Sequence, residues 1–222
     1  MTPKAMILAA GRGARLKPLT DTIPKPLVRI KNKPLIVYHL EKLAEANITD
    51  IVINLWHLGH KIKSYLGNGS AFGINIAYSE EEVLLETGGG ICKALPLLGE
   101  EEFLLINGDV FTDFNFAELI PLSLINHNLL GHLVLVPNPE HHLEGDYGID
   151  REGFANNTRS YTYSGIAKLS ARLFADVPLQ KFRLPELFIQ IMPKKLIGAE
   201  LYQGFWYDVG TIERLRELES TR

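Results

Sequence analysis

The sequence predicts an α/β fold, a mixed and mostly parallel sheet with helices on both faces, and two observations carry that prediction. Short apolar runs without polar alternation, such as residues 5–10 and 102–107, read as strands covered on both faces. These runs alternate with stretches of helical spacing, and a repeated strand–helix–strand order builds a parallel sheet. A third observation bears on function. The first strand breaks at Gly11 into a glycine-rich turn, and a turn of that kind, at the carboxyl end of a buried strand, brings backbone N–H groups to phosphate.

Taken in order, residues 5–10 form the first strand. Residues 34–47 carry apolar side chains at helical spacing behind Pro34, a residue suited to a helix start. Residues 50–55 read as a strand, 59–67 as a helix stopped by Gly67, and 74–79 as the next strand. Residues 87–98 open a helix with Thr87 as its cap. Residues 102–107 form a buried strand that runs into Gly108 and Asp109. The second half is less regular. Residues 132–137 and 161–169 read as strands with a loop or hairpin between them, and helices at 184–192 and 211–220 flank a strand at 199–203. No repeat, low-complexity tract or linker interrupts the chain, so residues 1–222 read as a single domain.

A net charge of −3 argues against nonspecific nucleic-acid binding, which needs a basic field. The N-terminal apolar run is too short for a signal peptide or membrane span. The single cysteine, Cys92, rules out an internal disulfide framework and fits a reducing, cytoplasmic setting. Its helical spacing after three glycines makes it a small core filler.

The opening segment reads L-x-x-G-x-G-x-R-L-x-P-L-T-x-x-x-P-K-P from Leu8 to Pro26, eleven fixed positions. Leu16 stands where both a Walker A loop and a dinucleotide fingerprint require glycine, which excludes those two motifs. Gly11 and Gly13 let the backbone approach a triphosphate closely. Arg15 can fork onto the β- and γ-phosphates, and Lys25, held between Pro24 and Pro26, is a point charge on a stiffened segment. Phosphate chemistry of this kind calls for a hard divalent cation on carboxylates. Asp109, just past a buried strand, and Asp208, in WYDVGT, are the candidates for Mg²⁺.

These motifs together resemble the sugar-phosphate nucleotidyltransferases, which join a sugar 1-phosphate to a nucleoside triphosphate and release pyrophosphate. The resemblance implies a Rossmann-like core, in which residues 1–110 mainly bind nucleotide and 111–222 mainly bind sugar phosphate. It makes Arg15 and Lys25 catalytic, and gives Asp109 and Asp208 the Mg²⁺ that bridges the two phosphates. It assigns Leu8, Ala10, Gly11, Arg12, Gly13, Glu81, Thr87 and Gly88 to the nucleotide, with Glu81 where relatives often carry Gln. On the sugar side it assigns Asn107, Asp146, Ser164 and Gly165, although YTYSG lacks the acid that many relatives place just before this turn. The strings HLGHKIKSYLGNGSAFG, LETGGGICKALPLLG and WYDVGTIERL are most similar to the uridylyltransferases that act on N-acetylmuramate 1-phosphate. UTP and that sugar phosphate are therefore the expected substrates, in a monomer or small homo-oligomer of cell-wall recycling. The alternative pair is GTP and mannose 1-phosphate, followed by other hexose or heptose 1-phosphates. Arg151 and Arg159 are the cations nearest in sequence for the lactyl carboxylate.

A reading of another class is an inactive regulatory subunit that binds nucleotide-sugar. Such a chain is expected to lose Arg15, Lys25 or an aspartate, and all are present. Asp113 reads as a helix cap. The pairs His57/His60 and His141/His142 read as exposed helix-end and loop residues, because no third ligand follows at metal spacing.

Overall fold

The computed structural model describes residues 2–220. In chain order the strands and helices are β1 (Lys4–Leu8), β2 (Arg29–Ile30), β3 (Lys33–Pro34), α1 (Leu35–Glu45), β4 (Asp50–Leu55), α2 (Gly59–Leu66), β5 (Asn75–Glu80) and α3 (Glu86–Leu98). There follow β6 (Glu102–Asn107), β7 (Val110–Thr112), β8 (Gly131–Val136), β9 (Tyr147–Ile149), β10 (Ala155–Ser170), α4 (Leu184–Ile191), β11 (Ile197–Leu201), β12 (Trp206–Asp208) and α5 (Ile212–Ser220). The main sheet runs β11-β8-β10-β6-β1-β4-β5, with β9 added to β10. Strands β5, β4, β1 and β6 are parallel, and β10 runs against both β6 and β8. The sheet is thus mixed and mostly parallel, as its apolar runs predict.

Strand alternation explains the two cores. Ala5 and Ile7 of β1 face one side, with Ile51 and Ile53 of β4, under Ile36, Leu40, Leu43 and Ile62 of α1 and α2. Met6 and Val52 face the other side, under Ile91 and Ala94 of α3 and Leu184 and Phe188 of α4. Burial of each such large side chain stabilises the fold by about 1.5–3 kcal/mol. A third cluster seats α5, whose Leu215 and Leu218 pack on Val28, Ile30, Leu35 and Val209. Half-buried Cys92 packs against the α3/α4 core. No helix among the described residues is long and apolar enough to cross a membrane.

The sequence pattern misses the two ribbons β2–β3 and β7–β12, whose strands of two or three residues are too short to show a period. It also underestimates β10, which reaches back to Ala155 and makes the expected hairpin with β9. Thr87 is not the cap of α3. That helix starts one residue earlier, and the Thr87 hydroxyl accepts the Leu184 N–H at 2.8 Å, tying α3 to α4. Asp113 caps nothing either: Asn115 caps the short turn Phe116–Leu119, and Asp113 accepts the Tyr202 hydroxyl.

Candidate active site

A cavity of about 380 Å³ opens at the carboxyl ends of β1 and β6, the position where open α/β sheets receive ligands. Its lining includes Leu8, Ala10, Gly11, Arg12, Gly13, Arg15 and Lys25 from the opening segment, together with Thr87, Asn107 and Asp109. The chain reaches this shape because the segment after β1 is anchored from beneath. Gly13 adopts φ 64, a left-handed conformation that side chains rarely take, and opens a short turn over Ala14–Leu16. Leu16, the residue that replaces a motif glycine, is completely buried as the anchor of that turn. The Thr20 hydroxyl donates to the Gly13 carbonyl at 2.8 Å, and His57 Nε2 donates to the Thr20 carbonyl at 2.8 Å. His57 therefore braces this loop, whereas His60 is exposed as expected. At Gly11 nothing stands within 4 Å of where a Cβ would lie, so its backbone is open to a ligand.

A second brace comes from β4. Asn54 Oδ1 accepts the Ala9 N–H at 2.8 Å, and Asn54 Nδ2 donates to Glu81 Oε1 at 2.8 Å. Glu81 Oε2 accepts the Leu85 N–H at 2.9 Å. Burial pushes the Glu81 pKa up, against the pull of these two donors. Glu81 does not line the cavity; it holds Asn54, which does. Gly88 lies off the cavity as well, with its N–H on the Phe182 carbonyl at 3.0 Å and the Phe182 ring where a side chain would stand.

The acidic side is built by the β7–β12 ribbon. Asp208 pairs in register with Val110, and the Val209 N–H reaches the Asp109 carbonyl at 2.8 Å, so both aspartates sit at one end of the ribbon. Lys25 Nζ lies 2.6 Å from Asp109 Oδ2. Burial raises the Asp109 pKa, but the Lys25 ammonium and, more distantly, Arg15 outweigh it and leave the carboxyl below its usual range. Asp208 Oδ1 is buried and has no aligned hydrogen bond: it meets the charged Arg214 Nη1, and His141 Nε2 lies 3.5 Å away. Burial pushes His141 down, opposed first by the Asp208 charge. The two aspartates are hard oxygen donors, and among the described residues no group of three or more His, Cys, Asp or Glu side chains is arranged to hold a metal ion by itself. That set suits Mg²⁺, which is held by one or two carboxylates and completes its shell with phosphate oxygen and water.

The sugar-side residues are scattered. Asn107 lines the cavity, and Gly165, at φ 80, stands directly against it: a Cβ there would lie 2.7 Å from the Asn107 side chain. Ser164 is consumed by the fold. Its hydroxyl donates to the Val134 carbonyl at 2.6 Å and accepts the Ile166 N–H, closing the bulge at which the pairing of β10 with β8 shifts register. Asp146 accepts the Tyr163 N–H at 2.9 Å and His142 Nε2 at 3.0 Å. His142 is thus not a free loop residue but is bonded to Asp146, whereas His141 is exposed as expected and lies beside Asp208. Arg159 is paired with Glu144 at 2.9 Å and with the Gly145 carbonyl, and Arg151 is exposed in the turn after β9. Sequence reasoning also misses Asn54, Gly210 and Arg214. Asn54 carries a signal, a lone polar side chain near the end of the apolar strand DIVINL.

Residues 4–157 match the Nucleotidyl transferase family. The chain belongs to that family. It is 43% identical, over 98% of its own length and 97% of the relative's, to the N-acetylmuramate alpha-1-phosphate uridylyltransferase of Neisseria meningitidis serogroup B. It is 31% identical over 93% of its length to a mannose-1-phosphate guanyltransferase of Gibberella zeae, of which it spans 60%. The fold matches HddC from Yersinia pseudotuberculosis with a TM-score of 0.81 and 24% identity, each chain covered in full. It matches a UDP-glucose pyrophosphorylase with a TM-score of 0.80 and 20% identity, over 99% and 97% of the two chains.

Proposed function

We propose that this nucleotidyl transferase uses UTP and N-acetylmuramate 1-phosphate, releasing pyrophosphate and forming the nucleotide-sugar. The observation that carries this reading is the 43% identity, end to end, with a relative named for that reaction. In the reaction an oxygen of the sugar phosphate attacks the α-phosphorus of UTP, the bond to the β-phosphate oxygen breaks, and that oxygen leaves with pyrophosphate. A phosphate nucleophile is already an anion, so no general base is needed. The difficulty is the contact of two anions, and charge and positioning overcome it.

On this reading the loop at Gly11–Gly13 turns backbone N–H groups to the triphosphate, and Arg15 steadies the departing pyrophosphate. Lys25 neutralises the phosphates at the reacting centre, for which its nearly buried position beside Asp109 suits it. Asp109 and Asp208 would hold Mg²⁺, which when bound supplies positive charge between the two phosphates. Residues 1–110 then serve mainly the nucleotide and 111–222 mainly the sugar phosphate. Asn107, which lines the cavity, and Asp146, whose carboxylate stays partly exposed beside His142, remain the sugar-side candidates, while Glu81 acts through Asn54. The distribution of lining residues supports that division: apart from Gly210, every residue lining the cavity falls within the first half.

The test is pyrophosphate release with Mg²⁺, crossing UTP, GTP, dTTP, CTP and ATP against the 1-phosphates of N-acetylmuramate, glucose, N-acetylglucosamine and mannose. The expected result is fast release only with UTP and N-acetylmuramate 1-phosphate. Fast release with GTP and mannose 1-phosphate would retain the chemistry and overturn the substrates.

A further inference from the structure

Arg214 lies on the first turn of α5 and is 8% exposed. Its guanidinium meets the buried Oδ1 of Asp208 directly through Nη1. Its place is set from three directions. The Leu215 and Leu218 side chains dock α5 on the cluster formed by Val28, Ile30, Leu35 and Val209. The Arg214 N–H is bonded to the Thr211 hydroxyl at 3.3 Å. The other guanidinium nitrogen, Nη2, fills the space over Gly210: a Cβ at Gly210 would lie 1.9 Å from it and 3.3 Å from Arg15 Nη2. Gly210 is therefore the floor shared by two guanidiniums, one lining the cavity and one holding an aspartate.

From this geometry we infer that Arg214 is a positioning residue for the metal-binding carboxylate Asp208, an inference that rests on the metal reading of Asp109 and Asp208. Asp208 closes a strand of three residues and has no aligned hydrogen bond at Oδ1. Its orientation depends on what grips it from outside. His141 contacts the same oxygen at 3.5 Å from a partly exposed loop, and its side chain is 36% exposed against 10% for Arg214. Of the two, Arg214 is the buried and permanently charged partner. A planar guanidinium fixes the direction of a carboxylate, which an ammonium on a flexible stem does not. Partners of metal ligands in such positions typically change affinity or activity by about 10- to 100-fold when removed.

The experiment is a Mn²⁺ titration, followed by electron paramagnetic resonance, of the full chain with a non-hydrolysable UTP analogue. It compares wild type with Asp208→Asn, Arg214→Met and Arg214→Lys, with circular dichroism as the check on folding. Arg214→Met is expected to weaken Mn²⁺ binding by about 10- to 100-fold and to lower kcat while leaving the KM for UTP within about threefold. Arg214→Lys keeps the charge, holds the fold if Met does not, and is expected to give a smaller loss of the same kind. Unchanged Mn²⁺ affinity in a folded Arg214 variant, with Asp208→Asn impaired, would overturn this inference alone. Unchanged affinity in Asp208→Asn would overturn the metal reading, and this inference with it.

Discussion

The segment from Leu8 to Pro26 and the loop between β8 and β9 are held in opposite ways. The first is tied from below: Leu16 and Thr20 are buried to 0% and 1% exposure, Asn54 and His57 bond its backbone, and Glu81 holds Asn54. The second is tied along the surface, where the Leu143 side chain is 74% exposed and the Arg159–Glu144 pair joins side chains 55% and 80% exposed. Exposed pairs of that kind contribute little. An anion site common to many substrates gains from a pre-organised backbone, whereas discrimination among sugars depends on a few polar contacts that can vary. The comparison teaches that, on the proposed reading, one fold keeps these tasks on separate segments, with Asp109 and Asp208 at their junction.

Asp109→Asn breaks that junction. On the proposed reading it removes both the charge that pairs Lys25 and a metal donor, so turnover is expected to fall by about 10²–10³-fold with every sugar phosphate tried. Steady-state pyrophosphate release checks it; a loss confined to one sugar would contradict the division of labour.

The scaffold beneath the first segment carries the next effect. His39 on α1 is 1% exposed, its Nε2 has no partner, and burial lowers its pKa to about 4 from 6.5, with Asp109 opposing. A histidine whose folded pKa is depressed binds a proton more readily when unfolded. Its share of stability is therefore complete above about pH 6.5, is lost as pH falls toward 4, and amounts to about 3 kcal/mol. Urea unfolding at intervals from pH 7 to pH 4 should show a shallower decline for His39→Leu than for wild type.

Glu81→Gln tests the second brace. Both carboxylate oxygens accept N–H donors, and an amide must turn its own donor toward one of them. A loss of about 1–3 kcal/mol in stability is expected, together with a raised KM for UTP, since the displaced Asn54 holds the Ala9 N–H. Asp146→Asn, on the other segment, should raise the KM for sugar phosphate by about tenfold and leave that for UTP unchanged. Equal effects on both KM values would erase the contrast between the segments.

The contrast also explains what the sequence made legible. The nucleotide side is one continuous stretch whose glycines, Arg15 and Lys25 keep fixed spacing, so the string from Leu8 to Pro26 can be read whole. The main strands and α1 to α5 follow from apolar period. The acidic side depends on pairing between residues about a hundred positions apart in strands of three residues, which no local period reveals. Ser164 and Gly88 sit in legible motifs, yet the fold spends their polar groups internally, on Val134, Ile166 and Phe182. Arg214 was hidden because a basic residue in the first turn of a polar helix resembles any solvated charge, and only the docking of α5 turns it inward.

The most direct measurement of the central claim pairs UTP binding by calorimetry with pyrophosphate release for Lys25→Ala. The account predicts a folded variant that binds UTP within a few-fold of wild type and releases pyrophosphate about 10²–10³-fold more slowly. Release at the wild-type rate would contradict it, because Lys25 and its pairing with Asp109 would then have no part in the transfer.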